Sequence, residues 1–422
     1  MSLKEEYISL IKGVLLGLNR INRKQYKPLK KLTDNIYECE LIEQDLDKRM
    51  DGRDWPLDAE SMIGIKRMDN VKYCVEEVIK NGIPGDFIET GVWRGGTCIF
   101  MRALLKAHNV TDRTVWVADS FEGLPKPDPD SYPEDSGDKL HTYNELKISE
   151  EEVKNYFRNY NLLDNQVKFL KGWFKDTMPT SPIEKLSILR LDGDMYESTI
   201  DVLIHLYPKL SVGGYCIIDD WGAIPACKKA VEDYRLVYGL DEQIVKIDWT
   251  GVFWEKRKEV EVITPDVFFK KLTKKRGEHW KKRVEDYNKN PLIVTYSMFE
   301  NGMKGVKLRN LEKNPSEDCG FISHSNDPQI ILTDLALAKD SEVQIYVDIV
   351  VEEVTKLQVF FKTRHKPNFN ENNSVKELLH LGRNQIIIEI SEDDLLGEIR
   401  IDPGDYTGNY RINRVEIRQS KQ

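Results

Sequence analysis

Acidic residues that follow two apolar segments of strand type carry the most evident chemistry in this sequence. Asp192 and Asp194 come directly after one apolar run, and Asp219 and Asp220 come directly after the next. In an open α/β sheet ligands bind at the carboxyl ends of the strands, so we expect these carboxylates to lie together. Such a cluster repels itself unless it holds a cation, and ligation by oxygen atoms alone suits Mg2+ rather than zinc. The alternative is a solvated acidic loop, or an N-cap for the helix that begins near Glu197.

A strand, a glycine-containing turn and a helix precede this cluster. The strand covers residues 86–89, the turn residues 90–97 and the helix residues 98–107. Glycines let a backbone approach a ligand closely, and the amino end of a helix offers free N–H groups. The glycine spacing is not Gly-x-Gly-x-x-Gly, so a dinucleotide is not the default ligand.

Two further strand ends carry candidate ligand contacts. The strand 114–118 ends at Asp119, and an acidic residue there can accept hydrogen bonds from both hydroxyls of a ribose. A later strand is followed by Gly172, Trp173 and Phe174. The two aromatic rings either sandwich a flat base or belong to the core.

The elements that must position these residues alternate between strands and helices. They finish with two strand-type segments, 243–247 and 252–255, which are separated by the turn Trp249-Thr250-Gly251 and which we interpret as a hairpin. This order predicts an α/β fold with a doubly wound, Rossmann-like sheet and an antiparallel edge strand.

Composition restricts the class of protein. A chain of 422 residues exceeds one ordinary core, so at least two domains are expected. The net charge of -9 argues against a nucleic-acid binder, because phosphate binding needs a basic surface. No stretch approaches the roughly 20 apolar residues of a membrane span, and the short apolar segment 8–18 is interpreted as an amphipathic helix rather than a signal peptide. A reduced, cytoplasmic setting is favoured by scattered cysteines without a Cys-x-x-Cys pair. These cysteines are Cys39, Cys74, Cys98, Cys216, Cys227 and Cys319.

We predict four segments along the chain. Residues 1–50 form an appendage, helical and then irregular, that serves oligomer formation or acts as a lid. Residues 51–257 form the α/β domain, and residues 258–290 a basic helical linker. In residues 291–422 the apolar period changes to about two, which predicts an all-β sandwich. The loop 126–139 is expected to be mobile, either closing over the site or forming an inert insertion.

With these residues assembled, the segment 54–238 resembles the macrocin O-methyltransferase family. These are metal-dependent enzymes that use S-adenosylmethionine to methylate sugar hydroxyls of macrolides and related natural products. The resemblance rests on five motifs in order, namely Glu89-Thr90-Gly91-Val92-Trp93-Arg94-Gly95-Gly96, Asp119-Ser120-Phe121-Glu122-Gly123-Leu124-Pro125, Gly172-Trp173-Phe174, Leu191-Asp192-Gly193-Asp194-Met195-Tyr196-Glu197-Ser198 and Ile218-Asp219-Asp220.

The resemblance implies roles for particular residues. It implies that Glu89 and Gly91 lie against the methionine part of the cofactor and that Asp119 binds its ribose hydroxyls. The residues expected to bind S-adenosylmethionine are Met62, Glu89, Thr90, Gly91, Arg94, Gly95, Asp119, Ser120, Gly172, Trp173 and Phe174. The residues expected to hold Mg2+ are Asp192, Asp219 and Asp220. Met195 stands where similar enzymes carry a His or Lys base, so the catalytic base is Asp192 or Asp194.

The end of the chain carries a second, less specific resemblance. Residues 399–417 look like the accessory sandwich domains of bacterial surface-polysaccharide enzymes. This implies a glycan-binding module with Tyr406 and Tyr410 as stacking residues, or a structural or dimerising module.

The expected function is Mg2+-assisted O-methylation of a sugar hydroxyl, in a bacterial surface glycan or a glycosylated metabolite, by a homo-oligomer without nucleic-acid or integral membrane partners. The alternative is a glycan-binding protein whose methyltransferase domain binds the cofactor without turnover. An NAD-linked sugar oxidoreductase is disfavoured by the missing glycine fingerprint and by the lack of a Tyr-x-x-x-Lys proton relay.

Overall fold

The computed structural model describes residues 2–21, 23–29, 38–296, 305–316, 320–338, 342–392 and 394–419. Cys319 and parts of the predicted appendage 1–50 and of the predicted sandwich 291–422 lie outside these ranges. The chain divides into two compact units, Met1–Thr273 and Lys274–Gln422, and each has its own apolar core. The division into four segments stays a prediction.

Nine helices occur among the described residues. They are α1 (Leu3–Leu15), α2 (Leu46–Asp51), α3 (Ile65–Lys80), α4 (Gly96–Ala107), α5 (Glu150–Asn159), α6 (Phe174–Thr177), α7 (Tyr196–Leu206), α8 (Pro225–Tyr238) and α9 (Pro265–Lys289). Helix α5 begins with a capping box, in which Ser149 Oγ accepts a hydrogen bond from Glu152 N and Glu152 accepts one from Ser149 N. None of the described helices has the length and apolar character needed to cross a lipid bilayer.

The first strands form a small sheet where the sequence suggests irregular structure. Strands β1 (Lys24–Leu29), β2 (Glu38–Glu43) and β3 (Trp55–Pro56) lie in the order β2-β1-β3. Lys24 lies opposite Glu43, and Lys27 lies opposite Glu40. The prediction of irregular structure was wrong because these strands carry charged rather than alternating apolar residues, and residues of opposite charge lie opposite each other only once the two segments are aligned.

A seven-stranded sheet forms the centre of the first unit. Its strands are β4 (Asp86–Thr90), β5 (Val115–Asp119), β6 (Val167–Lys171), β7 (Leu186–Leu191), β8 (Leu210–Ile218), β9 (Val245–Lys246) and β10 (Val252–Glu255). Their order is β6-β5-β4-β7-β8-β10-β9. Strands β6, β5, β4, β7 and β8 pair in parallel with one another in that order, whereas β10 pairs antiparallel with both β8 and β9. The predicted doubly wound sheet with its closing hairpin is confirmed.

Alternate residues of this sheet enter two separate cores. Phe87 and Ile188 belong to the core on one face, and Ile88 and Leu189 belong to the core on the other. Every residue of β7 is buried, including the charged Arg190. Both faces of the sheet are covered, so a ligand cannot reach the strands from above or below. It can reach them at their carboxyl ends, where ligands bind in open α/β sheets.

The second unit is an all-antiparallel sandwich, as predicted. Its strands are β11 (Leu292–Tyr296), β12 (Val306–Arg309), β13 (Glu312–Lys313), β14 (Gly320–Ser323), β15 (Gln329–Leu332), β16 (Val343–Val351), β17 (Thr355–Thr363), β18 (Ser374–Leu379), β19 (Gly382–Ile390), β20 (Leu395–Asp402) and β21 (Gly408–Gln419). One sheet has the order β13-β14-β21-β16-β19, with β11 also on β21, and the other has the order β12-β15-β20-β17-β18. Residues of both sheets share one core.

The structure does not support Tyr406 and Tyr410 as glycan-stacking residues. Tyr406 is 9% exposed and Tyr410 is 1% exposed, and their rings stack on each other with centroids 4.4 Å apart. The Tyr410 hydroxyl donates a hydrogen bond to the Tyr406 carbonyl at 2.7 Å. These rings belong to the core of the sandwich, so the prediction was wrong.

Candidate active site

A cavity of about 290 Å³ opens at the carboxyl ends of β4, β5, β7 and β8. It gathers most of the residues that the sequence singles out as a site. The predicted residues in its wall are Met62, Gly91, Asp119, Ser120, Gly172, Trp173, Phe174, Asp192, Asp194, Asp219 and Asp220. Apart from Met62, which precedes α3, these residues end or follow parallel strands, which bring them to one edge of the sheet although they are far apart in the chain.

The turn after β4 touches the turn after β7. Gly91 has a φ of +85°, and a Cβ atom built on it would lie 1.9 Å from the carbonyl oxygen of Asp192. Asp192 N also donates a hydrogen bond to Thr90 O at 2.9 Å. Only glycine satisfies both the left-handed backbone and this close approach.

Three residues other than glycine adopt a left-handed backbone at these strand ends. Trp93 follows β4 with a φ of 47°, Phe121 follows β5 with a φ of 59°, and Asp194 follows β7 with a φ of 58°. Each such conformation costs of order 1–3 kcal/mol and persists where the surrounding structure enforces it, which is common at functional sites.

Asp119 combines a structural role with a position in the cavity wall. Its carboxylate accepts hydrogen bonds from Val92 N and Phe121 N, both at 2.8 Å. Burial raises the pKa of Asp119, although these backbone hydrogen bonds act in the opposite direction. The carboxylate therefore ties the turn after β4 to the turn after β5 and still borders the cavity.

Four residues of the predicted cofactor site are directed elsewhere. Glu89 is 1% exposed and forms an ion pair with Arg190 beneath the cavity. Burial raises the pKa of Glu89 to about 7, and Arg190 opposes that shift. The Thr90 hydroxyl points to the carbonyl of Arg190 at 3.4 Å.

Arg94 and Gly95 have structural contacts of their own. The Arg94 guanidinium donates hydrogen bonds to the carbonyls of Pro56, Leu57 and Ala59. A Cβ atom on Gly95 would lie 2.7 Å from Val153 Cγ1. The geometry gives these two residues roles in positioning the chain, because their side chains or backbone face other segments rather than the cavity.

Asp192, Asp219 and Asp220 meet at the centre of the site. One carboxylate oxygen of each lies within 4.8 Å of an oxygen of the other two. Arg190 forms ion pairs with Asp192, at 2.7 Å, and with Asp219. Arg67 pairs with the other oxygen of Asp219 and, at 3.0 Å, with Asp248. Both carboxylate oxygens of Asp219 are therefore engaged in ion pairs. Asp192 has one oxygen in an ion pair, and Asp220 Oδ2 has no hydrogen-bond partner among the described residues.

Comparison with known proteins agrees with this geometry. The family model described as macrocin-O-methyltransferase (TylF) matches residues 4–256, which is more than half of the chain. The chain belongs to the macrocin O-methyltransferase family. The match ends before the β-sandwich unit.

Individual members of the macrocin O-methyltransferase family resemble this chain closely. Demethyldecarbamoylnovobiocin O-methyltransferase of Streptomyces niveus is 57% identical over 211 residues, which cover 50% of this chain and 80% of that protein. The 8-demethyl-8-(2,3-dimethoxy-alpha-L-rhamnosyl)-tetracenomycin-C 4'-O-methyltransferase of Streptomyces olivaceus is 56% identical over 213 residues, which cover 50% of this chain and 81% of that protein. The solved structure of the O-methyltransferase NovP matches with a TM-score of 0.55 and 48% identity, covering 60% of this chain and all of that one. This chain is therefore an O-methyltransferase, and its family implies S-adenosylmethionine as the methyl donor.

The residues of this methyltransferase fit a bound divalent cation. At the centre of the site, carboxylates outnumber the two guanidinium groups, those of Arg67 and Arg190. The carboxylates belong to Glu89, Asp192, Asp194, Asp219, Asp220 and Asp248. Within the described part of the chain, the buried Asp220 Oδ2 has no hydrogen-bond partner. A buried polar atom left in this state costs about 1–3 kcal/mol, and more when it is charged, so a cation beside it would relieve the excess negative charge. Oxygen donors alone suit Mg2+, and Asp192, Asp219 and Asp220 would hold it.

The two predicted bases, Asp192 and Asp194, have different surroundings. Burial, together with the carboxylates of Asp192 and Asp138, raises the pKa of Asp194 well above its usual range. Burial and Asp219 raise the pKa of Asp192 to about 6, and Asp192 is bound to Arg190. Both residues border the cavity, and the choice of base between them stays a prediction.

Several residues of the methyltransferase site were missed by sequence reasoning. They are Arg67, Trp93, Arg190, Asp201 and Trp249. Arg190 could have been predicted, because it is a charged residue inside an otherwise apolar strand. A buried arginine needs acidic partners, which the nearby carboxylates provide. The sequence around Arg67 and Trp249 offers no comparable signal, because both reach the site through tertiary packing.

The segment 126–139 is held near its C-terminal end by hydrogen bonds to the start of α7. Asp135 is 2% exposed and accepts hydrogen bonds from Tyr196 N at 2.6 Å and Glu197 N at 2.9 Å. It satisfies the first free N–H groups of α7, which otherwise lack partners at a helix start. This end of the loop is thus part of the frame of the site, and the expectation of a mobile loop does not hold for Asp135.

Proposed function

We propose that this O-methyltransferase transfers the methyl group of S-adenosylmethionine to a hydroxyl group of a sugar acceptor, with Mg2+ held by Asp192, Asp219 and Asp220. The observation that carries the proposal is the meeting of these three carboxylates at two neighbouring strand ends, with the buried Asp220 Oδ2 lacking a partner among the described residues. An acidic cluster of this kind, beside a turn that only glycine can form, combines a cation site with a place for a cofactor.

The proposed reaction needs a group that lowers the pKa of the acceptor hydroxyl and a base that accepts its proton. In methyl transfer the O–C bond forms as the S–C bond breaks, and the proton of the hydroxyl passes to a base. A bound Mg2+ supplies Lewis acidity, which lowers the pKa of an alcohol. We assign this proton to Asp194, because Asp194 borders the cavity and Arg190 pairs with the other predicted base, Asp192.

Other residues of the chain hold the reactants in place. Asp119 borders the cavity and offers its carboxylate to the ribose hydroxyls of the cofactor. Gly91 leaves room for the methionine part, and Arg190 fixes the orientation of Asp192 and Asp219. Keeping reacting groups in a productive orientation accounts for a large part of such a rate enhancement.

A sugar acceptor is favoured by the relatives. The name of the Streptomyces olivaceus relative specifies a dimethoxy-rhamnosyl group and its 4' oxygen. By analogy we propose a sugar of a glycosylated metabolite, with a surface glycan as the second choice. The cytoplasmic setting and the homo-oligomer expected from the sequence belong to the same proposal.

A methyl-transfer assay tests the proposal. Purified protein is incubated with S-adenosylmethionine carrying a labelled methyl group and with a panel of methyl glycosides, in Mg2+ and after treatment with a chelator. We expect transfer to at least one glycoside, loss of transfer in the chelator and recovery on adding Mg2+. Full activity in the chelator would reject the Mg2+ assignment, and the absence of transfer to any sugar would reject the acceptor class.

The same assay addresses the alternative of a non-catalytic, glycan-binding protein. Binding of S-adenosylhomocysteine by calorimetry without methyl transfer to any acceptor would favour that reading. We favour turnover because Asp194 and the three central carboxylates are all in the cavity wall.

A further inference from the structure

A carboxylate on helix α7 borders the active-site cavity without an assigned role. Asp201 is 7% exposed and belongs to the cavity wall. Its Oδ2 is buried and has no hydrogen-bond partner within the ranges that the structure describes. Glu197, one helical turn earlier, borders the same cavity.

The surroundings of Asp201 stabilise its charge poorly. Burial raises the pKa of Asp201 to about 7, Glu197 acts in the same direction, and Lys175 opposes them only in part. Lys175 forms an ion pair with Glu197 at 3.7 Å and is itself largely exposed. A neutral side chain of the same size would fit this position at a lower cost, because buried polar atoms without partners destabilise a fold. A group that destabilises the fold and borders a substrate cavity is expected to serve a ligand.

The cavity next to Asp201 combines polar and apolar walls. A Cβ atom on Gly193 would lie 3.3 Å from Phe174 Cε2, which places the Phe174 ring beside the acidic end of β7. Phe174, Asp194, Glu197 and Asp201 all border the same space. An apolar ring next to several carboxyl groups suits a ligand with a C–H face and several hydroxyl groups.

We propose that Asp201, with Glu197 beside it, accepts hydrogen bonds from hydroxyl groups of the acceptor sugar and so determines which sugars the enzyme takes. The inference rests on the proposed sugar methylation and adds the residues that select the acceptor. The Asp201 Oδ2 that lacks a partner among the described residues is satisfied by a hydrogen-bond donor, and hydroxyl groups are the donors that a neutral sugar presents. A sugar that lacks those hydroxyls leaves the buried carboxylate unpaired, and a sugar that carries a carboxylate or phosphate there meets like charge.

The test compares the wild-type protein with Asp201→Asn and with Asp176→Asn. Asparagine keeps the volume of Asp201 and removes its charge. Asp176 is an exposed carboxylate on α6 that contributes to the electrostatics of Asp201 but lies outside the cavity wall, so its variant controls for a change of charge at a distance. The probes are methyl α-L-rhamnopyranoside and its monodeoxy analogues. Binding to protein loaded with S-adenosylhomocysteine and Mg2+ is followed by saturation-transfer NMR, and S-adenosylhomocysteine affinity and Tm are measured in parallel.

We expect Asp201→Asn to lose the rhamnoside signal, or to weaken binding at least tenfold, while S-adenosylhomocysteine affinity stays within twofold. Tm at pH 8 should stay equal or rise, which a purely structural role for Asp201 would not produce. One monodeoxy analogue should bind the wild type as poorly as the parent sugar binds the variant.

Four results would each overturn the inference. Two concern the variants, namely equal sugar binding by wild type and Asp201→Asn, or an equal loss of binding in Asp176→Asn. The others are a lower Tm of Asp201→Asn with loss of both ligands, and no binding of any probe by the wild type. Sugar binding that depends on Asp201 without methyl transfer would instead overturn the proposed reaction and leave the binding site standing.

Discussion

Gly91 lies so close to Asp192 that a Cβ atom on Gly91 would stand 1.9 Å from the Asp192 carbonyl oxygen. The predicted cofactor turn and the first predicted metal ligand are therefore in direct backbone contact. A displacement of one must displace the other, which couples the position of the predicted cofactor turn to the position of Asp192.

Gly91→Ala is expected to disturb both binding sites. Overpacking costs about 1–3 kcal/mol, and a left-handed backbone adds roughly 1–2 kcal/mol for a residue other than glycine. We expect a loss of at least about 2 kcal/mol in the free energy of unfolding in urea, together with weaker S-adenosylhomocysteine binding by calorimetry.

Gly82→Ala is the matched control for this variant. Gly82 has a φ of +62°, but nothing lies within 4 Å of a Cβ atom built there. Its replacement should cost only the backbone contribution of about 1 kcal/mol and leave S-adenosylhomocysteine binding unchanged. Equal losses in the two variants would show that the contact with Asp192 has no special weight.

Asp220→Asn tests the metal site without breaking an ion pair. We expect Mg2+ to raise the Tm of the wild type and to leave the Tm of the variant nearly unchanged, because a neutral amide is a poorer ligand for a divalent cation. The comparison is Asp241→Asn, since the Asp241 side chain is 92% exposed and distant from the cavity wall. A full Mg2+ shift in Asp220→Asn would remove Asp220 from the ligand set.

Asp219→Ala should act mainly on folding. Its carboxylate pairs with the buried guanidinium groups of Arg67 and Arg190. Removing one partner of a buried ion pair typically costs about 3–5 kcal/mol, because it leaves buried charge unpaired.

The urea midpoint of Asp219→Ala should therefore fall well below that of Asp220→Ala. The Asp220 Oδ2 makes no hydrogen bond with any described residue, so little is lost when it is removed. Similar midpoints for the two alanine variants would contradict the network seen around Asp219.

The stability of the metal-free protein should depend on pH in a defined direction. The pKa of Glu89 and of Asp201 is raised to about 7, chiefly by burial in both cases. The folded state then binds protons that the unfolded state has released, so this contribution is complete below about pH 4 and is lost as pH rises through about 7. We expect Tm without Mg2+ to fall between pH 5 and pH 8, and the increase in Tm on adding Mg2+ to be larger at pH 8, where the carboxylates are ionised.

A variant separates this effect from general acid or base denaturation. Asp201→Asn should reduce the fall in Tm between pH 5 and pH 8, because one of the titrating groups is removed. A pH profile identical to that of the wild type would indicate that Asp201 does not titrate in this range.

Much of the fold could be predicted because it depends on local patterns. Apolar runs that end at Asp119, Asp192 and Asp219 indicate parallel strands, and parallel strands present their carboxyl ends at one edge. The change to a period of two after residue 291 indicates the sandwich. The paired strands β1 and β2 were missed, since neither segment has an apolar alternation of its own and their opposite charges face each other only in the paired register.

The sequence by itself determined which carboxylates could gather, because strand order and strand ends follow from apolar periodicity. Only the tertiary structure decided what each of them contacts. It paired Arg190 with Asp192 and Asp219, turned Arg94 toward backbone carbonyls, buried Tyr410 in the sandwich core and left Asp201 at the cavity wall with an oxygen to which no described residue donates a hydrogen bond. The physical reason is that charge pairing, burial and hydrogen bonding of a side chain depend on neighbours brought from distant parts of the chain, which residue type and spacing do not specify.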